Sequence, residues 1–431
     1  GLDSVGVTEN FFELGGDSII SLQAVSRAGQ RGLVFSPKQL FEQQTIRALA
    51  TVATSREATL VEAPKVPAFA LVPHIDFAAR EGLQDLYPLS PMQQGMLFHC
   101  LDSPELNPYV NQLSVAVDGL QVPRFRAAWQ TLVERHEVLR AAFRWRDGLA
   151  DPLQAVFADV ELPIEELDWR DRTDTEQALG ELAAAEQAKG FDLSCPPLMR
   201  FILVRLGEDR YQMIWIYHHL LLDGWSASRL LADMLRLYHN DSLPALTGRY
   251  ADYIAWLQRQ DGAQAEGFWR ERLALLEEPT ILAKASGAAG SGHGVMYSNL
   301  DAEATRKLHT FAKRQRVTLN TLVQGAWLLL LQRHSGQRSV AFGATVAGRP
   351  TGLAGAQDML GLFINTLPVI QTLDPQQPLG EWLRALQDYN LMVRDYEHTP
   401  LSDIQRWAGQ GGQGLFDSII VFENHPVDRA L

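Results

Sequence analysis

The sequence predicts a small all-α helical bundle followed by a larger α/β domain of two lobes. Three observations point there. Apolar residues recur at helical spacing up to about residue 53, a proline-spaced stretch without period follows, and strand-like and helix-like segments alternate from about Tyr87 onward. A Gly-rich run at 282–295 (LAKASGAAGSGHGV) divides that last region. The expected organisation is therefore a helical unit at 1–54, a linker at 55–82, a first lobe at 83–280 and a second lobe at 281–431.

In the helical unit, Ile19, Ile20, Leu22, Ala24 and Val25 form an apolar face just after Gly15-Gly16-Asp17-Ser18, a turn ending in good helix-capping residues. Ser36–Gln43 starts with Ser-Pro, a common helix entry, and a third helix is expected from Thr45 to Ala53. Between Ser55 and Gly82, Pro64, Pro67 and Pro73 are spaced along small and apolar residues, which reads as an extended linker of limited flexibility. Beyond it, Asn111–Val117, Phe201–Val204, Tyr211–Tyr217 and Ser339–Thr345 read as strands. Helices are expected at Pro123–Arg135, Glu176–Lys189, Ala227–Asn240, Tyr250–Arg259, Ala265–Leu275, Ala302–Arg314 and Leu319–Arg333.

Composition narrows the function classes. A formal net charge of −13 over 431 residues argues against a broad nucleic-acid footprint and against an acidic membrane surface as partner. No apolar run approaches the roughly 20 residues that span a bilayer, and residues 1–30 lack the basic start and apolar core of a signal peptide. The two cysteines, Cys100 and Cys195, are too few for a disulfide framework or a cysteine-rich metal site. One bridge between them is possible, but two buried free thiols fit a reducing cytoplasmic compartment better.

The first chemistry-bearing stretch is Phe11-Phe12-Glu13-Leu14-Gly15-Gly16-Asp17-Ser18. A serine opening a helix after two glycines has a free hydroxyl on a tight turn, and the helix N-terminus favours a phosphodiester there. Alone, GGDS is an ordinary turn with a cap. The whole segment, with Asp3 and Ile19, resembles the carrier proteins of nonribosomal peptide synthesis, which share F-F-x-L-G-G-[DH]-S-I/L. That resemblance implies that a phosphopantetheinyl transferase places 4′-phosphopantetheine on Ser18, whose thiol end carries an acyl thioester. The family has a full helix before this point, so the sequence is expected to be cropped at its start.

The second stretch is Tyr217-His218-His219-Leu220-Leu221-Leu222-Asp223-Gly224-Trp225-Ser226. Two histidines close a strand, a short loop follows, and Asp-Gly opens a helix. Neighbouring strand residues point to opposite faces, so one histidine can face a channel while the other packs inside. As metal ligands the pair is weak, because no third ligand lies at a useful spacing, and an isolated His-His is more often a core feature. In full, however, HHxxxDG resembles the hallmark of the condensation superfamily, whose fold is like that of chloramphenicol acetyltransferase. Further stretches fit it in order: Ser90–His99, Tyr250–Tyr253 with Trp256–Arg259, Gly361–Pro368, Tyr396–Leu401 and Leu415–Ser418. The resemblance implies that His219 is the catalytic histidine and that His218 and Asp223 hold the site together. It also implies a buried ion pair between Asp223 and an arginine, expected to be Arg135 of Arg135-His136-Glu137-Val138-Leu139-Arg140. The active site would lie in a tunnel between the lobes. The family usually continues further, so the end is expected to be cropped as well.

The implied reaction is attack of an acceptor amine on a donor thioester. An α-amine with a pKa of about 8 is largely protonated at neutral pH, and a histidine of pKa about 6.5 can accept a proton or orient the free amine. Positioning with late proton transfer is preferred here, since proximity already lowers the barrier, but the sequence leaves both roles open. Backbone N–H groups at Asp223-Gly224-Trp225 could polarise the thioester carbonyl. No adenylating signature and no metal set is visible, so the expected partners are the two thioester substrates, an upstream adenylation or epimerisation domain and a downstream acceptor carrier. The opening Tyr87–His99 looks like the subtype that takes a donor ending in a D-residue, giving D-donor to L-acceptor coupling. The alternatives are an epimerisation domain, which the Ser90–His99 stretch disfavours, and a non-catalytic platform recruiting tailoring enzymes, which usually lacks the second histidine.

Overall fold

A computed structural model describes residues 4–12, 14, 16, 18–55, 65–73, 75, 82–103, 107–146, 149–283, 294–409 and 414–423. Contacts group 61–259 with 352–363 as one body, and 1–60 with 260–351 and 364–424 as another.

The N-terminal helical unit contains α1 (Ser18–Gln30), β1 (Leu33–Val34), α2 (Pro37–Glu42), α3 (Ile46–Leu49) and β2 (Thr54–Ser55). Helix α2 starts in a capping box: Gln39 N–H donates to Ser36 Oγ at 3.1 Å, and Ser36 N–H to Gln39 Oε1 at 2.8 Å. The third helix stops at Leu49 rather than Ala53, because the chain turns so that Thr54 and Ser55 pair antiparallel with Val34 and Leu33. Phe12 packs on Phe41 at 4.6 Å to form the small core. Of the apolar face expected on α1, Val25 is buried and Ile20 exposed, while the side chains of Ile19 and Leu22 lie outside the described residues.

The first large body holds β3 (Leu83–Pro88), α4 (Pro91–Asp102), β4 (Val110–Asp118), α5 (Val122–Arg135), β5 (Ala141–Arg144), β6 (Leu153–Phe157), β7 (Ile164–Asp168), α6 (Thr175–Lys189), β8 (Met199–Arg205), β9 (Arg210–His218), α7 (Gly224–Tyr238) and α8 (Tyr250–Gln258). Its main sheet runs β4-β9-β8-β7, antiparallel except for the parallel β7–β8 edge, and a second antiparallel sheet runs β3-β6-β5. The centre of strand β9, Met213–Tyr217, is a continuous apolar run because both faces of its sheet are covered. Trp215 stacks on Phe201 and meets Trp129 of α5 at 5.5 Å on one face. Ile214 and Ile216 cluster with Ile202, Val204 and the α6 residues Leu179 and Leu182 on the other. Helix α5 buries Phe125, Ala128, Trp129, Leu132 and Val133, the spacing of a single helical face.

Within the stretch read as a linker, Val66 N–H donates to Asp252 Oδ1 at 2.9 Å and Phe69 N–H to Asp85 Oδ1 at 2.7 Å, fastening that segment to α8 and β3. The remaining elements are α9 (Gly262–Leu273), α10 (Ala302–Gln315), α11 (Leu319–Ser335), β10 (Ser339–Val346), β11 (Asn365–Thr372), α12 (Leu379–Val393), α13 (Leu401–Ala408) and β12 (Ile419–Ile420). Here the sheet order is β11-β10-β12, with β10 antiparallel to β11 and parallel to β12. Trp269, Leu328, Phe342, Leu386 and Ile404 lie in its core. Asn365 joins two of the quoted motifs: its Nδ2 donates to the carbonyls of Glu397 at 2.9 Å and Thr399 at 2.7 Å.

The two cysteines are free, but only Cys100 is buried; Cys195 is exposed, contrary to expectation, because it follows the Asp192–Ser194 turn at the surface. Among the described residues no helix is long and apolar enough to cross a membrane.

Candidate active site

Strand β9 delivers the two histidines. His218 is its last residue, and its N–H donates to Leu198 O, while the next N–H, from His219, donates to Tyr109 O, both at 2.9 Å. Their environments then diverge. His218 is buried between the rings of Tyr109 and Phe191. Its Nδ1 accepts from Leu220 N–H at 3.2 Å, so in the neutral ring the proton sits on Nε2, which meets Cys100 Sγ at 3.7 Å. Burial, reinforced by the neighbouring His219, pushes its pKa down to about 4, so it is neutral at physiological pH.

His219 is half-buried, and its Nδ1 lies 2.6 Å from Leu222 O. A carbonyl only accepts, so Nδ1 carries a proton, and in the neutral ring the lone pair lies on Nε2. The contact holds the ring by its Nδ1 edge against the loop. Three consecutive buried leucines, Leu220 to Leu222, anchor the loop that provides this carbonyl.

Asp223 closes the loop and caps α7, its Oδ1 accepting from Ser226 N–H at 2.8 Å. Its Oδ2 accepts from Phe363 N–H at 3.0 Å, and its own N–H donates to Gly361 O at 3.2 Å. Ser226 Oγ completes the clamp, donating to Gly361 O at 2.8 Å and accepting from Gly361 N–H at 3.1 Å. Gly361 is obligatory here, since a Cβ would come 2.2 Å from the buried Tyr250 ring, whose hydroxyl donates to Leu362 O. The Gly361-Leu362-Phe363 motif thus fastens onto the start of α7. Gly224 is the first residue of that helix. Because Asp223 N–H is already engaged, it is not available to a substrate carbonyl.

The ion pair expected between Asp223 and Arg135 is not formed. The Arg135 guanidinium turns to the carbonyl of Pro244 instead. In the same motif Arg140 is the buried arginine, donating to Val133 O at 3.0 Å and Gln84 Oε1 at 2.6 Å, and Glu137 pairs with Arg249 at 3.2 Å. Spacing in the sequence could not assign these partners, because the motif holds two arginines and the third, Arg249, is distant in sequence. Among the described residues, no group of three His, Cys, Asp or Glu side chains could hold a metal ion.

The carrier motif supplies a second site. Ser18 opens α1, whose first turn holds no acidic residue to oppose a phosphodiester. Gly16 N–H donates to Phe11 O at 2.9 Å, and a Cβ on Gly16 would fall 2.4 Å from the Phe11 ring, so the turn before Ser18 demands glycine. A serine at a helix start fits attachment of a phosphodiester-linked arm. Asp17, Gly15 and the Ser18 side chain lie outside the described residues.

These two sites define a carrier joined to a two-lobed α/β domain with a histidine loop. Residues 83–430 match the condensation domain family and residues 1–53 match the phosphopantetheine attachment site. The chain belongs to the condensation domain family and carries a phosphopantetheine attachment domain ahead of it. It is 36% identical over 363 residues to tyrocidine synthase 2 of Brevibacillus parabrevis, covering 82% of this chain and 10% of that one. It is also 36% identical over 403 residues to chondramide synthase cmdD of Chondromyces crocatus, again covering 82% and 10%. The chain thus spans a small fraction of these curated relatives. The first condensation domain of the calcium-dependent antibiotic synthetase, solved with a substrate analogue, superposes with a TM-score of 0.63 at 20% identity, covering 78% of this chain and 79% of that one. The condensation domain of the Monacolin K polyketide synthase MokA gives 0.61 at 19%, covering 78% of each. At these identities the structures establish the fold.

Proposed function

We propose that this chain forms an amide bond between two carrier-bound substrates in nonribosomal peptide synthesis. The observation that carries the reading is the 2.6 Å contact from His219 Nδ1 to Leu222 O, which places the lone pair of the neutral ring on Nε2. Phosphopantetheine on Ser18 supplies a flexible arm whose thiol holds the donor as a thioester. As the amine attacks the carbonyl carbon, a C–N bond forms, the C–S bond breaks, and one proton must leave the nitrogen for the departing sulfur. His219 Nε2 orients the free amine and takes that proton late. Neutral, buried His218 holds the loop from beneath, and Asp223 with Gly224 seats the start of α7, whose N-terminal end is partially positive.

Module order makes the carrier at 1–54 the donor and places the acceptor carrier downstream, with an adenylation or epimerisation domain upstream. The opening Tyr87–His99 supports a donor ending in a D-residue and an L-aminoacyl acceptor. About 1.4 kcal/mol of differential transition-state binding is enough for a tenfold preference between epimers.

The test is a single-turnover assay with matched D- and L-terminal peptidyl arms on the carrier and one loaded acceptor. The D-arm is expected to transfer at least tenfold faster, and His219→Ala to slow transfer at least a hundredfold without reducing carrier loading. Faster transfer from the L-arm would reverse the stereochemical assignment. A fully active His219→Ala would remove His219 from the chemistry, and epimerised arms without amide product would identify an epimerisation domain.

A further inference from the structure

Gln93, within the Ser90–His99 stretch, makes contacts that its helix-capping position does not require. It is the third residue of α4 and completes a capping box: Gln93 N–H donates to Ser90 Oγ at 3.3 Å, and Ser90 N–H to Gln93 Oε1 at 3.0 Å. That box accepts Glu as readily as Gln, and the positive end of the helix favours Glu. The two protons on Gln93 Nε2 explain the amide. One goes to Leu220 O at 3.0 Å, inside the loop between His219 and Asp223, and the other to Gln154 Oε1 at 2.7 Å. Gln154 Nε2 then donates to Tyr87 Oη at 2.8 Å, across the β3–β6 register in which Tyr87 faces Gln154. Gln93, Gln154 and Tyr87 are all buried.

The direction of this chain follows from its ends. Ser90 N–H can only donate, so Oε1 of Gln93 must face it. Leu220 O can only accept, so Nε2 must face the loop. Gln154 therefore presents its oxygen to Gln93 and its nitrogen to Tyr87. Flipping either amide would set two acceptors or two donors against each other in a dry interior, which is costly.

We infer that Gln93 is a positioning residue for His219, acting through a Tyr87–Gln154–Gln93 relay that holds the Leu220 carbonyl. By fixing Leu220, the relay fixes the turn in which Leu222 O meets His219 Nδ1, and so selects the Nδ1-protonated tautomer of the neutral ring. The β3–β6 sheet and the first turn of α4 thus set the tautomer of the histidine that follows β9. The link from tautomer to rate rests on the amide-forming role proposed above; the link from relay to tautomer does not.

Two readouts on the intact chain test it. In ¹⁵N-histidine spectra recorded at a pH where the ring is neutral, wild-type His219 is expected to show the tautomer protonated on Nδ1. Gln93→Glu keeps the capping acceptor but removes both donated bonds, so the signature is expected to become a mixture of tautomers. The single-turnover rate should fall at least tenfold, with the acceptor KM within twofold of wild type. An unchanged signature and a rate within twofold in Gln93→Glu overturn the inference. Should that variant fail to fold, Tyr87→Phe carries the test, since it deletes one hydroxyl at the far end of the relay. It is expected to broaden the His219 signature and slow transfer at least threefold, and no change in either overturns the relay. If His219→Ala proves active, the amide-forming reading fails while the tautomer comparison still decides the relay.

Discussion

Each histidine of the pair is defined by the partner of one ring nitrogen. Nδ1 of His218 accepts from a backbone N–H and Nδ1 of His219 donates to a backbone carbonyl, so adjacent residues are held in opposite tautomers. Burial also makes His218 a pH-linked group. Its pKa of about 4 in the fold lies below the ordinary value near 6.5, so the native state binds fewer protons than the unfolded chain between those values. Stability is fully present above about pH 6.5 and is lost as pH falls toward 4, by roughly 3 kcal/mol from this residue. Buried His136, pushed down to about 3 by burial and by Arg135, acts in the same direction. Denaturant unfolding from pH 7 to pH 4 should show the fall. His218→Asn, which keeps an acceptor for Leu220 N–H, should flatten it, and an unchanged slope would disprove the assignment.

At the level of elements, the site is a junction in which a strand end, a loop and a helix start are tied to a distant segment. Asp223 makes two of those ties, one to the first turn of α7 and one to Phe363 N–H, 140 residues on. Asp223→Ala removes a helix cap, worth about 1 kcal/mol, and strands a buried N–H, worth about 1–3 kcal/mol. Thermal and denaturant unfolding should report a loss of about 2–4 kcal/mol together with reduced transfer. A variant as stable as wild type yet inactive would move Asp223 from support to chemistry. Although α4, β11 and α12 escaped assignment, other long elements were legible: α5, α6, α10, α11, β4, β8, β9 and β10 lie within a few residues of their predicted limits. The short strands β3, β5, β6 and β7 were not. β5 reads Ala-Ala-Phe-Arg and becomes a strand through its pairing with β6, which local propensity does not encode.

At the level of the whole molecule, a phosphopantetheine attachment domain and a condensation domain lie in one chain. That arrangement depends on a single attachment point. Intact mass after treatment with a phosphopantetheinyl transferase and coenzyme A should show one adduct, and Ser18→Ala should abolish it. A full adduct on Ser18→Ala would refute the assignment of Ser18.

From the residues alone, the helical unit, the α/β character, the GGDS turn and the HHxxxDG loop could be identified, because each is a local pattern whose meaning survives without knowing what packs on it. Partnership could not. The Arg135 guanidinium faces Pro244, Arg140 is the buried arginine of that motif, and Gln93 reaches Leu220 across 127 positions of sequence. Those pairings depend on where chain segments meet, and a buried donor takes whichever acceptor the packed backbone brings within about 3 Å. The residue types of the site were therefore set by sequence, while the proton on His219, the neutrality of His218 and the supports beneath them were decided by tertiary structure.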